Sequence, residues 1–231
     1  MKKLNGKWAF VTGSSRGIGQ QIAKGLANHG CNIILHGRKM ENTKETIELL
    51  KQYDVEVDAV GGELTSQEDI RKIIDYINSK YQIDILYNNA GIQNKYEDIF
   101  NHGTDVWQQV FHINLFSLSE FCNAFAPKMK ERGYGRIINL SSGIRDIPQM
   151  APYSASKAAV DKYTQDLAFE LKDTNVLVNY IDPGWLRTDL GGEWAPNDVT
   201  TVLPGILVPA LLEDNGPSGQ GFSAQDFKET E

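Results

Sequence analysis

The amino-acid sequence predicts a single α/β domain whose parallel sheet is covered by helices on both faces. Short segments that are almost continuously apolar alternate with longer segments of helical spacing, which is typical of buried parallel strands joined by helices. The 231 residues, 41% of them hydrophobic, suit one domain with a sizeable core. Neither an internal repeat nor a linker interrupts the chain before about Gly191, so residues 1–231 are taken as one domain.

Six apolar segments are predicted strands, and each ends in glycine or polar residues. In chain order they are KWAFVTG, CNIILHG, VEVDAVGGE, IDILYNNAG, GRIINLSS and VLVNYIDPG. Ligands of open parallel sheets bind at the carboxyl ends of the strands. The polar endings TGSS, HGR, NNAG, SSG and DPG are therefore predicted to line one cleft.

Two of the intervening segments show clear helical spacing of apolar residues. These residues are Ile70, Ile73, Ile74 and Ile77 in the first segment and Val160, Tyr163, Leu167 and Leu171 in the second. After Gly191 the chain becomes rich in glycine, proline and polar residues, as in GGEWAPNDVTTVLPG and EDNGPSGQGF. This late region is predicted to form a substrate loop or lid over about residues 185–212, followed by a final strand.

The charge balance argues against two classes of partner. With 23 basic and 30 acidic residues the net charge is -7, so neither nucleic acid nor an anionic membrane is expected as the main partner. The segment MKKLNGKWAFVTG has too short an apolar run for a signal peptide, and no run approaches the length of a membrane span.

The cysteines and histidines give no indication of a metal site. Cys31 and Cys122 lie in apolar surroundings without metal-ligand spacing, which favours buried free thiols and a reducing, cytoplasmic setting. The histidines also lack paired metal-ligand spacing, so structural or surface roles are expected for them. They are His29, His36, His102 and His112.

A glycine-rich turn after the first strand predicts a dinucleotide site. In FVTGSSRGIGQQIAKGLANHG the strand ends at Thr12 and an amphipathic helix begins near Gly17. Glycines let the backbone approach a pyrophosphate, and the helix N-terminus supplies amide donors and a favourable dipole. The alternative, an ordinary glycine-rich turn, is disfavoured by this position between strand and helix. The predicted contacts are Gly13, Ser15, Arg16, Gly17, Ile18 and Gly19.

The end of the second strand, LHGRK, favours NADP(H) over NAD(H). An acidic residue at this point would bind the ribose 2′-hydroxyl and repel a 2′-phosphate, but Gly37 stands there instead. Arg38, Lys39, or Arg16 from the glycine-rich turn could pair with the phosphate. The alternative, that Arg38 and Lys39 are solvated surface cations, remains open.

Six short motifs follow one another along the chain: TGSSRGIG at 12–19, NNAG at 88–91, Asn114 in INL, the serine pair at 141 and 142, YSASK at 153–157 and PGWLRT at 183–188. With these motifs in this order, the sequence resembles the short-chain dehydrogenase/reductase family over nearly its whole length. Six ordered matches are far more specific than any single one. The segments PGWLRTDLGG and DNGPSGQGF also resemble a carbonyl-reductase-like branch of the family.

The resemblance implies a doubly wound (Rossmann-type) sheet of seven parallel strands and further contacts to the cofactor. It assigns Asn89, Ala90 and Gly91 to the adenosine end of the cofactor. The nicotinamide end is assigned to Pro183, Gly184, Leu186 and Thr188. In GGELT the family usually has an aspartate beside the adenine. This chain has Glu63 there, so either Glu63 or the backbone around Leu64 is expected to take that role.

Tyr153 and Lys157 form the predicted catalytic pair. At positions i and i+4 of a helix they lie on one face and can point into one cleft. Reduction of a carbonyl needs a proton donor, and a tyrosine can serve if a nearby cation lowers its pKa from about 10. Lowering that pKa to near 7 corresponds to about 4 kcal/mol. The resemblance also implies that Lys157 binds the nicotinamide ribose.

The resemblance adds a serine and an asparagine to the catalytic set. Ser142 would donate a hydrogen bond to the substrate oxygen. The loop from Ser142 to Tyr153 is slightly shorter than in many relatives, so Ser141 remains an alternative. Asn114 would hold a water that links the lysine to solvent. Without the resemblance, Asn114 would be interpreted as a structural kink in a helix of about residues 104–131.

The predicted cleft mouth is apolar and aromatic with little fixed charge, which suits a neutral, moderately hydrophobic ketone or aldehyde. Candidate side chains are Ile92, Gln93, Ile144, Trp185, Leu186 and Trp194, together with the catalytic Ser142 and Tyr153. Each could equally belong to the core or to an interface. The resemblance implies a possible dimer or tetramer through the helix of Tyr153 and the long helix before it, although some carbonyl-reductase-like relatives are monomers.

Two hypotheses about function follow. The first is an NADP(H)-dependent carbonyl reductase or alcohol dehydrogenase with Tyr153 as the acid/base. The second is a non-catalytic NADP(H)-binding regulatory or scaffold protein on the same fold. The complete set of Ser142, Tyr153, Lys157 and Asn114 favours the enzyme, because a protein that only binds the cofactor does not need groups for proton transfer.

Overall fold

The computed structural model describes residues 3–227 and confirms the predicted doubly wound α/β architecture. Seven strands form one sheet in the order β3-β2-β1-β4-β5-β6-β7, and every neighbouring pair is parallel. The strands are β1 Trp8–Val11, β2 Asn32–Gly37, β3 Val57–Gly61, β4 Ile85–Asn88, β5 Gly135–Leu140, β6 Val176–Asp182 and β7 Gly221–Ser223. The strand order reverses between β1 and β4, and their carboxyl ends therefore flank the crevice in which such sheets bind ligands.

In the described part of the chain, six α-helices connect the strands and cover the sheet. They are α1 Gly17–Asn28, α2 Lys44–Leu50, α3 Gln67–Lys80, α4 Thr104–Phe111, α5 Ser117–Arg132 and α6 Ala151–Glu170. The long helix predicted near residues 104–131 is divided, because a π-helical stretch at His112–Phe116 separates α4 from α5. Within residues 3–227 no helix has both the length and the apolar composition needed to cross a bilayer.

The hydrophobic core lies in two layers, one on each face of the sheet. Neighbouring side chains of β1 alternate between the layers, so Val11 packs with α1 while Phe10 packs with α5. The ring of Phe10 meets Phe121 and Phe125 edge-on, with centroids 5.2 and 6.0 Å away. This two-sided burial explains why the strands are apolar along their whole length.

The late region is only partly a surface loop. Val202, Ile206, Leu207 and Ala210 are buried in the same core layer as α1. A Cβ atom added to Gly25 of α1 would lie 2.5 Å from Leu207 Cδ1, so helix and segment are in close contact. The part of the predicted 185–212 lid from residue 202 onward therefore belongs to the core.

Arg136 joins three chain segments at the amino-terminal edge of the sheet. Its side chain is 1% exposed and donates hydrogen bonds to the carbonyls of Asn175 and Leu212 at 3.1 and 3.2 Å. It also forms a 3.0 Å ion pair with Asp214 and lies over the ring of Tyr134. A buried guanidinium with this many partners stabilises the start of β5 and the loop before β7 together.

Replacing Arg136 is expected to be much more costly than replacing its acidic partner. Arg136→Met leaves buried carbonyl groups without donors, and we expect it to lower the free energy of unfolding by about 3 kcal/mol. Asp214→Asn should cost less than about 1 kcal/mol, because Asp214 is largely exposed. Urea denaturation followed by circular dichroism measures both, and equal losses would contradict the central role of the guanidinium.

Candidate functional site

The glycine-rich turn has the geometry of an anion-binding turn. Gly13 and Gly17 adopt φ angles of +63° and +61°, in the left-handed region that favours glycine. A Cβ atom on Gly19 would lie 2.3 Å from the carbonyl oxygen of Gly13, so no other residue fits there. Helix α1 begins at Gly17 with no side-chain cap from Arg16 and no acidic residue in its first turn. Its first amide groups are thus suited to a phosphate.

A buried histidine, His36, hydrogen-bonds to the glycine-rich turn and holds it in place. The backbone amide of Gly13 donates to His36 Nδ1 at 3.0 Å, and His36 Nε2 donates to the carbonyl of Gly62 at 3.1 Å. Ser14 Oγ accepts a bond from the His36 amide at 2.9 Å. Burial lowers the pKa of His36 to about 4, although the bond to Gly62 acts in the opposite direction. The neutral ring can therefore accept from Gly13.

The NNAG segment is bonded directly to the glycine-rich turn. Thr12 Oγ1 accepts hydrogen bonds from the amides of Asn89 and Ala90, each at 3.0 Å. The Asn89 side chain donates to the carbonyls of Thr12 and Gly13 at 2.8 and 3.1 Å. Asn89 and Ala90 thus lie against the glycine-rich turn that is predicted to bind the pyrophosphate. The amide of the Asn89 side chain is already used in hydrogen bonds to this turn.

Two predicted phosphate-binding arginines differ in their surroundings. Arg38 is exposed at the carboxyl end of β2 and forms no hydrogen bond or ion pair within residues 3–227. Arg16, in contrast, forms a 2.8 Å ion pair with Asp189 of the late loop. Lys39 is exposed beside Arg38. Arg38 is therefore the more available of the two guanidinium groups.

Glu63 and Leu64 of the GGELT segment differ in their exposure to solvent. Glu63 is exposed, and its backbone amide donates to Asp69 Oδ2 at 2.9 Å. Leu64 is buried in the core layer of α3. The Glu63 carboxylate is therefore accessible to a ligand, whereas the Leu64 side chain is not, and the adenine contact of this segment stays a prediction.

Ser142, and not Ser141, lies against the phenol of Tyr153. The Ser142 side chain lies close enough to the phenol to lower its pKa, and its hydroxyl accepts a 3.3 Å bond from the amide of Ile144. Burial raises the pKa of Tyr153, the Ser142 hydrogen bond lowers it, and the Asp182 carboxylate raises it. The chain's own groups therefore favour the protonated phenol, which is the form that donates a proton.

Lys157 is buried beside Tyr153 but does not bond to it. Its Nζ donates to the carbonyl of Leu140 at 2.7 Å and lies 5.8 Å from the centre of the Tyr153 ring. Burial lowers the pKa of Lys157 to about 8, while the Asp161 carboxylate acts to raise it. Lys157 is not among the groups that shift the Tyr153 pKa, so the expected lowering of that pKa by the lysine is not produced by the chain alone.

Asn114 lies in the π-helical stretch and joins three elements. Its Oδ1 accepts from the amide of Ile92, and its Nδ2 donates to the carbonyl of Ile92 and to Ser156 Oγ, each at 2.9 Å. A Cβ atom on Gly91 would lie 3.3 Å from Asn114 Oδ1 and 3.6 Å from Lys157 Nζ. The structure thus brings Asn114, Gly91 and Lys157 together, and π-helical turns are frequent at functional sites.

The PGWLRT segment at 183–188, which is predicted to hold the nicotinamide, approaches the glycine-rich turn. Gly184 has a φ angle of +83°, and its amide donates to Asp182 Oδ1 at 2.9 Å. A Cβ atom on Gly17 would lie 3.6 Å from Thr188 Cγ2, so Thr188 reaches the start of α1. Pro183 accepts a bond from Gln225. Asp182, which the sequence analysis did not select, is the residue that fixes the Gly184 turn.

The predicted mouth residues divide into three groups. Trp185 and Trp194 are 59% and 91% exposed. Gln93 is exposed and its Nε2 donates to the carbonyl of Leu190 at 2.8 Å, whereas Ile144 is half-buried and its amide donates to Ser142 Oγ. Leu186 is buried in the core layer of α1, so its side chain does not line the mouth as expected. Alternation of inward and outward side chains after Pro183 accounts for this difference.

Three buried or half-buried residues that were not selected from the sequence support the site. His36 holds the glycine-rich turn, Asp161 lies beside Lys157, and Asn94 accepts a bond from the amide of Tyr153 at 3.2 Å. Asn94 Nδ2 also donates to the carbonyl of Gln149, which fixes the start of α6. No sequence motif marks these contacts, although Asp161 follows Lys157 by one helical turn.

Comparison with known proteins supports the family resemblance that the sequence motifs indicate. Residues 7–198 match the family model described as short chain dehydrogenase. A 3-oxoacyl-(acyl-carrier-protein) reductase of Aquifex aeolicus is 38% identical over 193 residues, which cover 81% of this chain and 77% of that relative.

Solved structures share the fold over almost the whole chain. A 3-oxoacyl (acyl-carrier-protein) reductase from Agrobacterium tumefaciens C58 with NADP bound has a TM-score of 0.86 and 26% identity, covering 95% of this chain and 93% of that one. An NAD+-bound xylitol dehydrogenase has a TM-score of 0.85 and 26% identity, covering 96% and 98%. Proteins of this fold thus carry different nicotinamide dinucleotides.

Protonation of His36 is expected to destabilise the folded protein. Its pKa is about 4 in the folded chain against 6.5 for a free histidine, so the unfolded chain binds the proton more tightly. This contribution is complete above pH 6.5 and is lost as the pH falls towards 4, at a cost of about 3 kcal/mol. Urea unfolding of wild type and His36→Asn from pH 7 to 4 measures it. Parallel curves for the two proteins would contradict this role.

Proposed function

The chain belongs to the short-chain dehydrogenase/reductase family of oxidoreductases, and we propose that it interconverts a ketone or aldehyde and an alcohol with NADP(H). The observation that carries the proposal is the position of the buried Lys157, whose Nζ lies 5.8 Å from the centre of the Tyr153 ring, with Ser142 close enough to lower the pKa of that phenol. This arrangement provides a proton donor, a donor to the substrate oxygen and a cation. A protein that only binds a dinucleotide needs none of them.

The residues present fit a nicotinamide dinucleotide along the carboxyl edge of the sheet. The uncapped N-terminus of α1 suits the pyrophosphate, and the missing Cβ of Gly19 lets the Gly13 carbonyl and the Asn89 side chain pack closely against the start of that helix. The predicted adenosine contacts lie beside β2 and β4, and Pro183, Gly184 and Thr188 lie towards the nicotinamide end. When bound, the nicotinamide supplies or accepts the hydride of the reaction.

Tyr153 and Ser142 act on the substrate oxygen. During reduction Tyr153 gives its phenolic proton to the carbonyl oxygen while the carbonyl carbon takes up the hydride, which yields the alcohol. Ser142 donates a hydrogen bond to the same oxygen and stabilises the negative charge that develops on it. In the reverse direction Tyr153 takes the proton back. Because its pKa is raised, Tyr153 keeps its proton until negative charge develops on the carbonyl oxygen and makes that oxygen a strong base.

Lys157 and Asn114 support this proton transfer. The pKa of Lys157 is about 8, so the amine is largely charged at neutral pH and can stabilise the phenolate left on Tyr153. We also assign binding of the nicotinamide ribose to Lys157, as the resemblance to the family implies; its Nζ lies near Gly91 and Asn114. Asn114 hydrogen-bonds to both the amide and the carbonyl of Ile92 and so fixes the backbone of the loop that follows β4.

The preference for NADP(H) rests on Arg38. The end of β2 carries Gly37, so no carboxylate is present there to repel a phosphate, and a Cβ atom at this position would lie only 3.0 Å from the carbonyl oxygen of Lys39. Arg38 is exposed at that point and has no partner within the described part of the chain. A guanidinium in this position matches the geometry of a phosphate dianion.

The substrate we propose is a neutral, moderately hydrophobic carbonyl compound. The exposed rings of Trp185 and Trp194 and the side chain of Ile144 lie on the loops that follow β5 and β6. The reductase of Aquifex aeolicus, by its name, acts on a 3-oxoacyl group, which is also a ketone on an apolar chain. Cys31 and Cys122 are free and buried, which supports a reducing, cytoplasmic setting.

We also propose that the protein forms a homo-oligomer through α5 and α6. Phe169 on α6 is 81% exposed, and Phe116, just before α5, is exposed as well. Large apolar side chains on the outer face of adjacent helices favour burial against another copy. Size-exclusion chromatography with light scattering tests the proposal, and a monomer at micromolar concentration would contradict it.

Replacement of Tyr153 by Phe should abolish turnover and leave cofactor binding nearly unchanged. The variant keeps the ring and loses only the proton donor, so we expect the loss in kcat to be at least about 100-fold. NADPH consumption with a panel of ketones and aldehydes measures turnover, and fluorescence titration measures the Kd for NADPH. Activity equal to wild type would refute the assignment.

Replacement of Arg38 by Ala should weaken NADPH binding far more than NADH binding. Loss of charge-assisted hydrogen bonds to a phosphate should raise the Kd for NADPH about 10- to 100-fold. Arg71→Ala removes an exposed cation from α3 and serves as the control. Similar losses for both cofactors in Arg38→Ala would contradict the phosphate contact.

A further inference from the structure

Ser141, which does not contact Tyr153, has a different partner. Its hydroxyl is buried and donates a short hydrogen bond to Asp161 Oδ1. Asp161 follows Lys157 by one turn of α6, on the same helix face. Leu140, whose carbonyl accepts the bond from Lys157, immediately precedes Ser141. The end of β5 therefore holds both the lysine and the neighbouring carboxylate.

The charged groups around Asp161 come from every element packed against it. Lys157 faces it from its own helix, Arg145 from the loop after β5, and Asp182 from the end of β6. Burial raises the pKa of Asp161, whereas the Ser141 hydrogen bond, Lys157 and Arg145 lower it and Asp182 raises it. For Lys157, Asp161 is the charged group that opposes the effect of burial.

The carboxylate is held near the ammonium without pairing with it. Among the described residues no ion pair within 4.0 Å joins Lys157 and Asp161, because Lys157 bonds to Leu140 and Asp161 bonds to Ser141. A buried ammonium with a single carbonyl partner is costly to keep charged unless an opposite charge is nearby. A direct pair would instead draw the ammonium away from Tyr153.

We propose that Asp161, fixed by Ser141, is a positioning residue that keeps the Lys157 ammonium charged and free to serve Tyr153. The role in turnover rests on the proposed function, whereas the effect on Lys157 itself does not. The two adjacent serines thus divide their tasks: Ser142 faces the reacting phenol, and Ser141 holds the carboxylate that supports the lysine. Without the charge of Asp161, Lys157 loses its proton at a lower pH. Functions that need the Lys157 ammonium are then lost at a lower pH than in the wild type.

A direct titration of Lys157 tests the proposal. The purified protein is labelled with [13Cε]lysine, the Lys157 signal is assigned by its loss in Lys157→Arg, and the signal is followed by NMR from pH 6 to 11. Asp161→Asn keeps an acceptor for Ser141 and removes only the charge. It should lower the pKa of Lys157 by about one pH unit, and an unchanged titration would overturn the proposal.

Two further variants separate charge from structure. Asp166→Asn removes a carboxylate from the exposed part of the same helix, where Asp166 pairs with Lys162, and should leave Lys157 unchanged. Ser141→Ala keeps the charge of Asp161, so the pKa of Lys157 should stay at or above the wild-type value. A fall in Ser141→Ala as large as in Asp161→Asn would overturn the proposal, since loop integrity would then control the lysine.

The pH dependence of function provides the second readout. In Asp161→Asn the alkaline limits of NADPH binding and of kcat should move to lower pH by about the same amount as the Lys157 titration. Asp161→Glu should restore part of the shift. If Tyr153→Phe remains active, the proposed function fails but the NMR test of Asp161 stands. A displaced titration without any change in these limits would overturn the role in turnover.

Discussion

The hydroxyl of Thr12 accepts hydrogen bonds from the amides of Asn89 and Ala90, where β1 and β4 end side by side. These two strands flank the point at which the strand order reverses, and the loops of the site extend from it. The Asn89 side chain strengthens the same junction through the carbonyls of Thr12 and Gly13. Since Gly13 is also held by His36, the glycine-rich turn is fixed from both neighbouring strands. Its shape is therefore set by the protein itself.

Burial acts on the acids and bases of this site in opposite directions. It makes His36 neutral and eases loss of the proton from Lys157, while it keeps the proton on Tyr153. The site thus contains a stable proton donor beside an amine that titrates not far above neutral pH. Asp161 and Asp182 adjust this balance, because each acts on one member of the pair. Burial of these side chains is therefore the main cause of their pKa shifts.

The fold could be predicted from the sequence because its signals are local. Apolar strands, glycines with positive φ and helical spacing are all properties of short segments, and the predicted strands form in the predicted order. The position of Tyr153 one turn from Lys157 is equally local. The choice between Ser141 and Ser142 does not depend on local sequence alone. Adjacent residues at a strand end face opposite sides, and only the packing of α6 determines which serine lies near Tyr153. The roles of His36 and Asp161 likewise depend on contacts between distant parts of the chain. The direction of the Tyr153 pKa depends on burial, which residue spacing does not reveal.

The two edges of the sheet are built for different purposes. At the amino edge Arg136 binds three segments rigidly, and from residue 202 onward the late region is anchored in the core. Between Gly184 and that anchor, the loop carries exposed side chains such as Trp194. Substitutions in this stretch change the surface offered to a ligand at little cost to folding. Over evolutionary time, this separation allows the range of accepted compounds to diverge between descendants while the catalytic groups and the scaffold stay the same.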